Sequence, residues 1–309
     1  VPETKIQSVL AACGPDSCAD AVKQAGLLAG AIGARLKIVD TLPEPPAYRR
    51  IAIPNYAELA ALAREKKRKQ LQVLARRWRA EGLEVEEEIF RGALEAELIR
   101  DVRERGHGLV VVPAERTESG SRAGQTAMHL LRNCPCPVWI VRPRRSRRRM
   151  RILAAVATQP GNPANAELNA GILHLAETLC RAFAGELHIL HAWRAFGESL
   201  FAHSPFCQGE DEQARSYFEE IRRQHAAELQ ALLARCDASL PARCVHLERG
   251  EAQAVIPGFC KTHKIDLLVM GSAGRRGMSA LLVGNTAETV ANAVECSLLA
   301  VTREMDAAA

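Results

Sequence analysis

Short apolar runs alternate along the chain with long stretches in which apolar residues return every three or four positions. The runs Val9–Cys13, Leu36–Val39, Leu109–Val112 and Val138–Val141 are too short for helices and are mostly aliphatic, so they predict strands buried on both faces. Tyr56–Glu81 places Leu59, Leu62, Leu71, Leu74 and Ala75 at helical spacing, with charge elsewhere. Asp211–Cys236 repeats the pattern with Phe218, Ile221, Leu229, Leu232 and Leu233. Strands alternating with helices imply a parallel sheet covered on both faces. Ligands of such sheets bind beyond the carboxyl ends of the strands, where strand order reverses.

The pattern is written twice. Ser8-Val-Leu-Ala-Ala-Cys-Gly14 matches Arg151-Ile-Leu-Ala-Ala-Val-Ala157, and Ala34-Arg-Leu-Lys-Ile-Val-Asp40 matches Gly185-Glu-Leu-His-Ile-Leu-His191. Phe90-Arg-Gly-Ala93 matches Glu248-Arg-Gly-Glu251, and Gly108–Val112 matches Asp266–Met270. Thr126–Cys134 matches Thr286–Val294, in the same order. Two domains of one fold follow. Residues 1–143 form the first, 144–150 an Arg-rich junction, and 151–309 the second.

The second half carries the clearest chemistry. Strand Asp266–Met270 runs into Gly271, Ser272, Gly274, Arg275, Arg276 and then Gly284, Asn285, Thr286. The spacing is Gly, two residues, Gly, nine residues, Gly. Strand, glycine loop and helix is the arrangement that phosphate binding needs: glycines allow close backbone approach, clustered amides cradle oxygens, and the helix adds its positive end. Arg275 and Arg276 supply charge. A second reading stays open, in which Asn285 and Glu288 are a reciprocal helix cap and the glycines only permit a turn. The first-half loop, Pro113 to Thr126, lacks the glycine at the strand end. Pro113 has no amide to donate, and Glu115 and Glu118 repel phosphate.

At these residues the sequence resembles the universal stress protein family, and most closely its tandem E-type members. The resemblance covers essentially the whole chain, once per half. It implies two Rossmann-like (adenine-nucleotide-hydrolase-like) α/β domains, each a five-stranded mainly parallel sheet with four helices, packed as an intramolecular pseudo-dimer. Val138–Val141 and Leu298–Val301 would then meet near the pseudo-twofold axis. It implies a cytoplasmic protein of stress survival, including DNA damage, that binds a ligand rather than turning one over. ATP or a related nucleotide is the implied cofactor, held by Gly271, Ser272, Gly274, Arg275, Arg276, Gly284, Asn285 and Thr286. The family's nucleotide-binding members end their first strand in an Asp. Here Ala157 and Gly14 stand at the matching positions, and Asn285 replaces the Ser or Thr after the last glycine.

Charge and composition sharpen this. The formal net charge is +5, but Arg142 to Arg151 contains seven arginines and no acid, so the rest of the chain is slightly acidic. The segment reads as a polar linker with incidental polyanion affinity. Non-specific nucleic-acid binding through it is the alternative function, and weak ATP hydrolysis a further one. Aromatics make up 4% of the chain, too few for a base-stacking platform. No apolar run has the ~18 residues that span a bilayer, and the start of the sequence does not read as a signal peptide. The ten cysteines are therefore expected as thiols of a reducing compartment.

Cys134-Pro-Cys136 is too tightly spaced for a zinc knuckle and reads as buried thiols before a strand. Cys296 stands at the equivalent place. Cys13 and Cys18 could lie near each other after the first strand. His188 and His191 point to opposite faces and are poor joint ligands, while His191 sits at the cleft end of its strand. No metal set and no catalytic residue is assigned, and a homodimer of the tandem chain stays open.

Overall fold

A computed structural model describes residues 6–14, 18–42, 45, 53–117, 120–143, 149–159, 161–195, 212–236, 240–272 and 285–302. The first half contains β1 (Ser8–Ala12), α1 (Cys18–Ile32), β2 (Arg35–Leu42), α2 (Tyr56–Ala80), β3 (Val85–Arg91) and α3 (Leu94–Arg105). It continues through β4 (Leu109–Pro113), β5 (Glu115–Thr117), β6 (Gly120–Arg122), α4 (Gly124–Asn133) and β7 (Val138–Val141). The second half contains β8 (Arg151–Val156), α5 (Pro163–Ala182), β9 (Glu186–Trp193) and α6 (Glu212–Arg235). It ends with β10 (Val245–Arg249), α7 (Ala252–Thr262), β11 (Leu267–Gly271), α8 (Asn285–Ala293) and β12 (Ser297–Val301).

Ten strands make one sheet in the order β10-β9-β8-β11-β12-β7-β4-β1-β2-β3. Each half is parallel and has the same order. Each reverses direction of winding between its first strand and the strand paired on its other side, β1 beside β4 and β8 beside β11. The halves join where β12 pairs antiparallel with β7, Leu298 opposite Ile140 and Ala300 opposite Val138. These are the two strands that the resemblance placed at the pseudo-twofold axis.

Strand alternation sorts the core into two layers. Val9 and Ala11 pack with Val22, Leu28, Leu71 and Trp78 under α1 and α2, and this layer continues under α5 and α6 of the second half. Leu10 and Ala12 point to the other face, where Leu98, Val102, Leu130, Ile256 and Val290 of α3, α4, α7 and α8 lie. Both layers cross the seam, so the halves share their cores. Burying each such aliphatic side chain contributes about 1.5–3 kcal/mol.

Two differences from the sequence reading have physical causes. The apolar stripe of α2 is buried only in its second part. Leu71, Ala75 and Trp78 reach the core, while Leu59 and Leu62 are 54% and 68% exposed. Lys67 already meets Asp40 near the carboxyl end of β2, so the turns before it project past the sheet. Cys13 is disulfide-bonded, against the expectation of thiols throughout; Cys134, Cys136, Cys180, Cys236, Cys244, Cys260 and Cys296 are free. No helix among the described residues is long and apolar enough to cross a membrane.

Side chains reinforce the seam. Arg132 Nε and Nη2 grip both carboxylate oxygens of Glu288 at 2.7 and 2.6 Å. The guanidinium of Arg142, 3% exposed, donates to the carbonyls of Cys296 at 2.7 Å and Ala291 at 2.9 Å. So the first residue of the arginine segment is an internal clamp. Arg149 donates to the Ala184 carbonyl at 2.6 Å and Arg151 to that of His263 at 2.8 Å.

Candidate functional site

The carboxyl ends of β8 and β9 carry a polar cluster. Asn169 of α5 pins the chain after β8: its amide donates to the Ala157 carbonyl at 2.8 Å, and its oxygen accepts the Ala157 amide at 3.2 Å. This presents Thr158, whose hydroxyl donates to Glu228 Oε2 at 2.6 Å and lies 3.2 Å from His191 Nε2. His191 Nδ1 lies 3.1 Å from the Val156 carbonyl, which can only accept, so Nδ1 carries the proton there. Its Nε2 faces His225 Nδ1 at 3.1 Å. With the proton on Nδ1, His191 Nε2 can accept from His225 Nδ1, while Thr158 donates to Glu228.

Trp193, at the end of β9, packs its indole against His225 with ring centroids 5.7 Å apart. It is 4% exposed, and among the described residues its indole nitrogen has no hydrogen-bond partner. A buried N–H left unpaired costs about 1–3 kcal/mol, so this donor calls for an acceptor. Glu228 restores a carboxylate to the end of β8, where Ala157 removed one. It comes from α6 rather than from the strand, and sequence spacing gave no sign of that. The detectable signal was His225 and Glu228 three apart on one helix face, opposite the strand end that holds His191.

The glycine-loop residues divide. Gly271 ends β11 with its open face against Leu168, where an added Cβ would stand 2.8 Å from Cδ2. Ser272 turns inward: its amide donates to the Val301 carbonyl at 2.9 Å, and its hydroxyl contacts the same oxygen at 3.2 Å. Gly274, Arg275, Arg276 and Gly284 lie outside the described residues. Asn285 begins α8, and Thr286 is exposed on its first turn. Glu288, on the first turn of α8, is held by the bidentate grip of Arg132 across the seam.

The same places in the first half are filled from within. The Pro113 ring covers Gly14, where an added Cβ would stand 2.8 Å from Cγ. Glu115, on the β5–β6 ribbon, puts Oε1 2.9 Å from the Gln125 amide at the start of α4, and Arg122 holds its other oxygen at 3.2 Å. The positive end of that helix therefore has an internal anion. Asp40, the counterpart of His191, is paired with Lys67 at 2.6 Å.

One constellation lies at the opposite, amino end of the sheet. Ser8 Oγ is 2.7 Å from His107 Nδ1, and His107 Nε2 is 2.9 Å from Asp101 Oδ2. The chain order hides this Ser–His–Asp contact, since Ser8 opens β1 while the other two close α3 and its turn. Lys37 also bonds both Asp101 oxygens at 2.8 Å. Ser8, His107, Asp101 and Lys37 are all buried. Burial holds the His107 ring below the usual imidazole range, against the pull of Asp101. The arrangement is a buried ion network with no approach for a substrate.

Fold and site together define the class: two fused, doubly wound α/β domains, the first closed at its switch point and the second holding a polar cluster there. The chain belongs to the universal stress protein family, whose model matches residues 5–142 and 150–302. It is similar to Universal stress protein E of Salmonella typhi, 30% identical over 210 residues that cover 66% of this chain. That alignment spans 64% of the relative, under two thirds of its length. The Universal stress protein E homolog of Haemophilus influenzae is 29% identical over 244 residues, 77% of this chain and 76% of that one. A protein of unknown function from Pseudomonas aeruginosa PAO1 shares the fold with a TM-score of 0.69 at 23% identity, over 98% of this chain and 95% of that one. A universal stress protein from Archaeoglobus fulgidus does so with 0.63 at 16% identity, over 97% of each.

Proposed function

We propose that this stress protein acts as a binder of a nucleotide or a similar phosphate-bearing small molecule in its second half. The observation that carries the reading is the cluster of Thr158, His191, His225 and Glu228 beside the unpaired indole N–H of Trp193. It offers a carboxylate and two imidazoles to a polar ring or a sugar hydroxyl, and one donor that has no acceptor among the described residues. β8 lies beside β11, the strand that leads into the glycine loop, and Gly274, Gly284, Asn285 and Thr286 are the residues proposed to take the phosphate, because Gly271 is packed on Leu168 and Ser272 is turned inward onto Val301. Arg275 and Arg276 assist there. The contrast with the first half supports the choice of half, because Glu115 and Pro113 occupy its corresponding places. The protein works in the cytoplasm, in survival of stress that includes DNA damage, by holding its ligand rather than hydrolysing it. The polyanion reading is the weaker one, since Arg142, Arg149 and Arg151 are engaged internally.

The test is direct. Purified protein is denatured and the released small molecules are identified by mass. The emptied and refolded protein is then titrated with ATP by calorimetry. Binding that weakens about tenfold or more in Glu228→Gln, and again in Gly274→Val with Gly284→Val, supports the reading, one lost hydrogen bond to a charged group being about 1.5–3 kcal/mol. Binding unchanged in both variants would sink it, and steady phosphate release would make the protein an ATPase instead.

A further inference from the structure

α2 carries a second stripe on the side away from the core. Leu71, Ala75 and Trp78 face inward. Leu59, Leu62, Lys66, Lys69, Val73 and Arg76 follow one another in steps of three and four residues, so they share one helix face, and all six are exposed. At about 100° per residue this face lies nearly opposite the buried one. Among the described residues five large apolar side chains are exposed. Three of them, Leu59, Leu62 and Val73, lie on this stripe, and a fourth, Ile53, stands just before α2. Single exposed apolar residues need no explanation, but their gathering on one helix that projects past its sheet does. The helix is also strongly cationic. Of its 25 residues, eight are Lys or Arg and two are Glu. Glu65 is held by Arg68 and Lys69 of the same helix, while Lys66 and Arg76 make no ion pair among the described residues.

We infer that this face of α2 docks the protein on an anionic lipid surface, with Leu59, Leu62 and Val73 entering the headgroup boundary and Lys66, Lys69 and Arg76 meeting lipid phosphates. From Leu59 to Arg76 the stripe runs ~25 Å, so the helix lies flat on such a surface. Charge and apolar content together choose this occupant over two others. A second copy of the chain would bring the same face against itself, and two helices with a surplus of six positive charges each repel. A nucleic acid would satisfy the cations through its phosphates, but a phosphate backbone has nothing to bury the two leucines. A lipid surface supplies both partners, negative headgroups above an apolar interior. The lysine stems lie along the apolar side while their ammonium groups stay among the headgroups. Three apolar side chains are few, so the attachment is peripheral, reversible and weakened by salt. α2 packs on β2 and β3, at the other end of the ten-stranded sheet from β9 and β10. The docking face is therefore remote from the cluster around Trp193 and independent of what that cluster binds.

The test uses the full chain and vesicles of phosphatidylcholine, with or without about one third phosphatidylglycerol. In co-sedimentation at low salt the chain should bind the anionic vesicles about tenfold or more tightly than the neutral ones, and salt of about 0.5 M should release it. Leu59→Gln with Leu62→Gln leaves the charge unchanged and should weaken vesicle binding about tenfold. Both side chains are exposed, so the urea midpoint of this variant should match that of the parent. Lys66→Gln with Lys69→Gln should weaken binding by a similar factor. A parent chain that stays in the supernatant with anionic vesicles overturns the proposal. So does vesicle binding that the leucine changes leave intact, because charge alone, on α2 or in the arginine segment, would then account for it. The same proteins are titrated with duplex DNA. Tighter binding to DNA than to vesicles, lost with the lysines and kept without the leucines, would make this a nucleic-acid face instead. A dimer of the parent in sedimentation equilibrium that the leucine variant dissolves would assign the face to a second copy.

Discussion

Glu115 Oε1 accepts the backbone amide of Gln125 at 2.9 Å, so the first half supplies the anion for its own helix start. This contact fills, in the first half, the place that corresponds to the proposed phosphate site of the second. The start of α4 holds four unsatisfied amides and the positive end of a dipole. An internal carboxylate neutralises it permanently and excludes phosphate. Glu115→Ala should therefore destabilise the chain by roughly 1 kcal/mol, the usual cost of a lost N-cap. Sulfate or phosphate should then raise the melting temperature of the variant more than that of the parent. An equal response of the two proteins to phosphate would show that the carboxylate is not the anion of this site.

α1 and α2 approach so closely that a methyl group on Gly26 would overlap the Trp78 indole. Trp78 is 2% exposed and forms the floor of the first-half core. Gly26→Ala would gain helix propensity, worth about 1 kcal/mol on its own. Overpacking against a fixed indole costs about 1–3 kcal/mol and should win. The expected outcome is a lower urea midpoint with a changed Trp78 fluorescence. A higher midpoint would mean that the indole moves freely aside.

Much of this architecture was legible because both signals that encode it are local. Buried strands show as short apolar runs, and the repeat aligns β1 with β8 and β7 with β12. Gly271 at a strand end and Pro113 in its counterpart also told the halves apart. The cluster around Trp193 was not legible. Thr158, His191, Trp193 and Glu228 come from three segments, and only the packing of α6 across β9 brings them together. The burial of Arg142 was hidden for a different reason. It opens a run of arginines that reads as solvated linker, whereas its own side chain turns back across the seam.

His246 sits among imidazoles. Its ring is 3.2 Å from His188, packs edge-on against Phe259, and neighbours His263. Burial first, then the charges of His188 and His263, push it down to about 4. In the unfolded chain it titrates near 6.5. Above that pH both states are neutral and the full stability is present. As pH falls from 6.5 toward 4 the unfolded state takes up the proton and the folded state refuses it, so stability is lost across that window. The ring is partly exposed, so the loss should be only about 1 kcal/mol. Urea midpoints at a series of pH values should show this fall, and His246→Phe should flatten it. The same slope in both proteins would assign the fall to other groups.

Lys37 tests whether the amino-end network holds the first half together. It is 2% exposed, bonds Asp101 through both oxygens, and meets Glu88 at 2.7 Å. Removing one partner of a buried pair strands the other, at a cost of about 3–5 kcal/mol. Lys37→Met should show that loss, softened because Arg105 Nε lies 3.1 Å from Asp101 and can take over part of its charge. Lys37→Met with Asp101→Asn removes both charges yet keeps an acceptor for His107. The double variant should recover more than half of the single loss. A recovery of that size marks the network as a device that costs stability when broken rather than a source of net stabilisation. A double variant no better than Lys37→Met alone would instead show that the Lys37 ammonium, which also lies 5.3 Å from the Phe90 ring centroid, contributes through contacts other than Asp101.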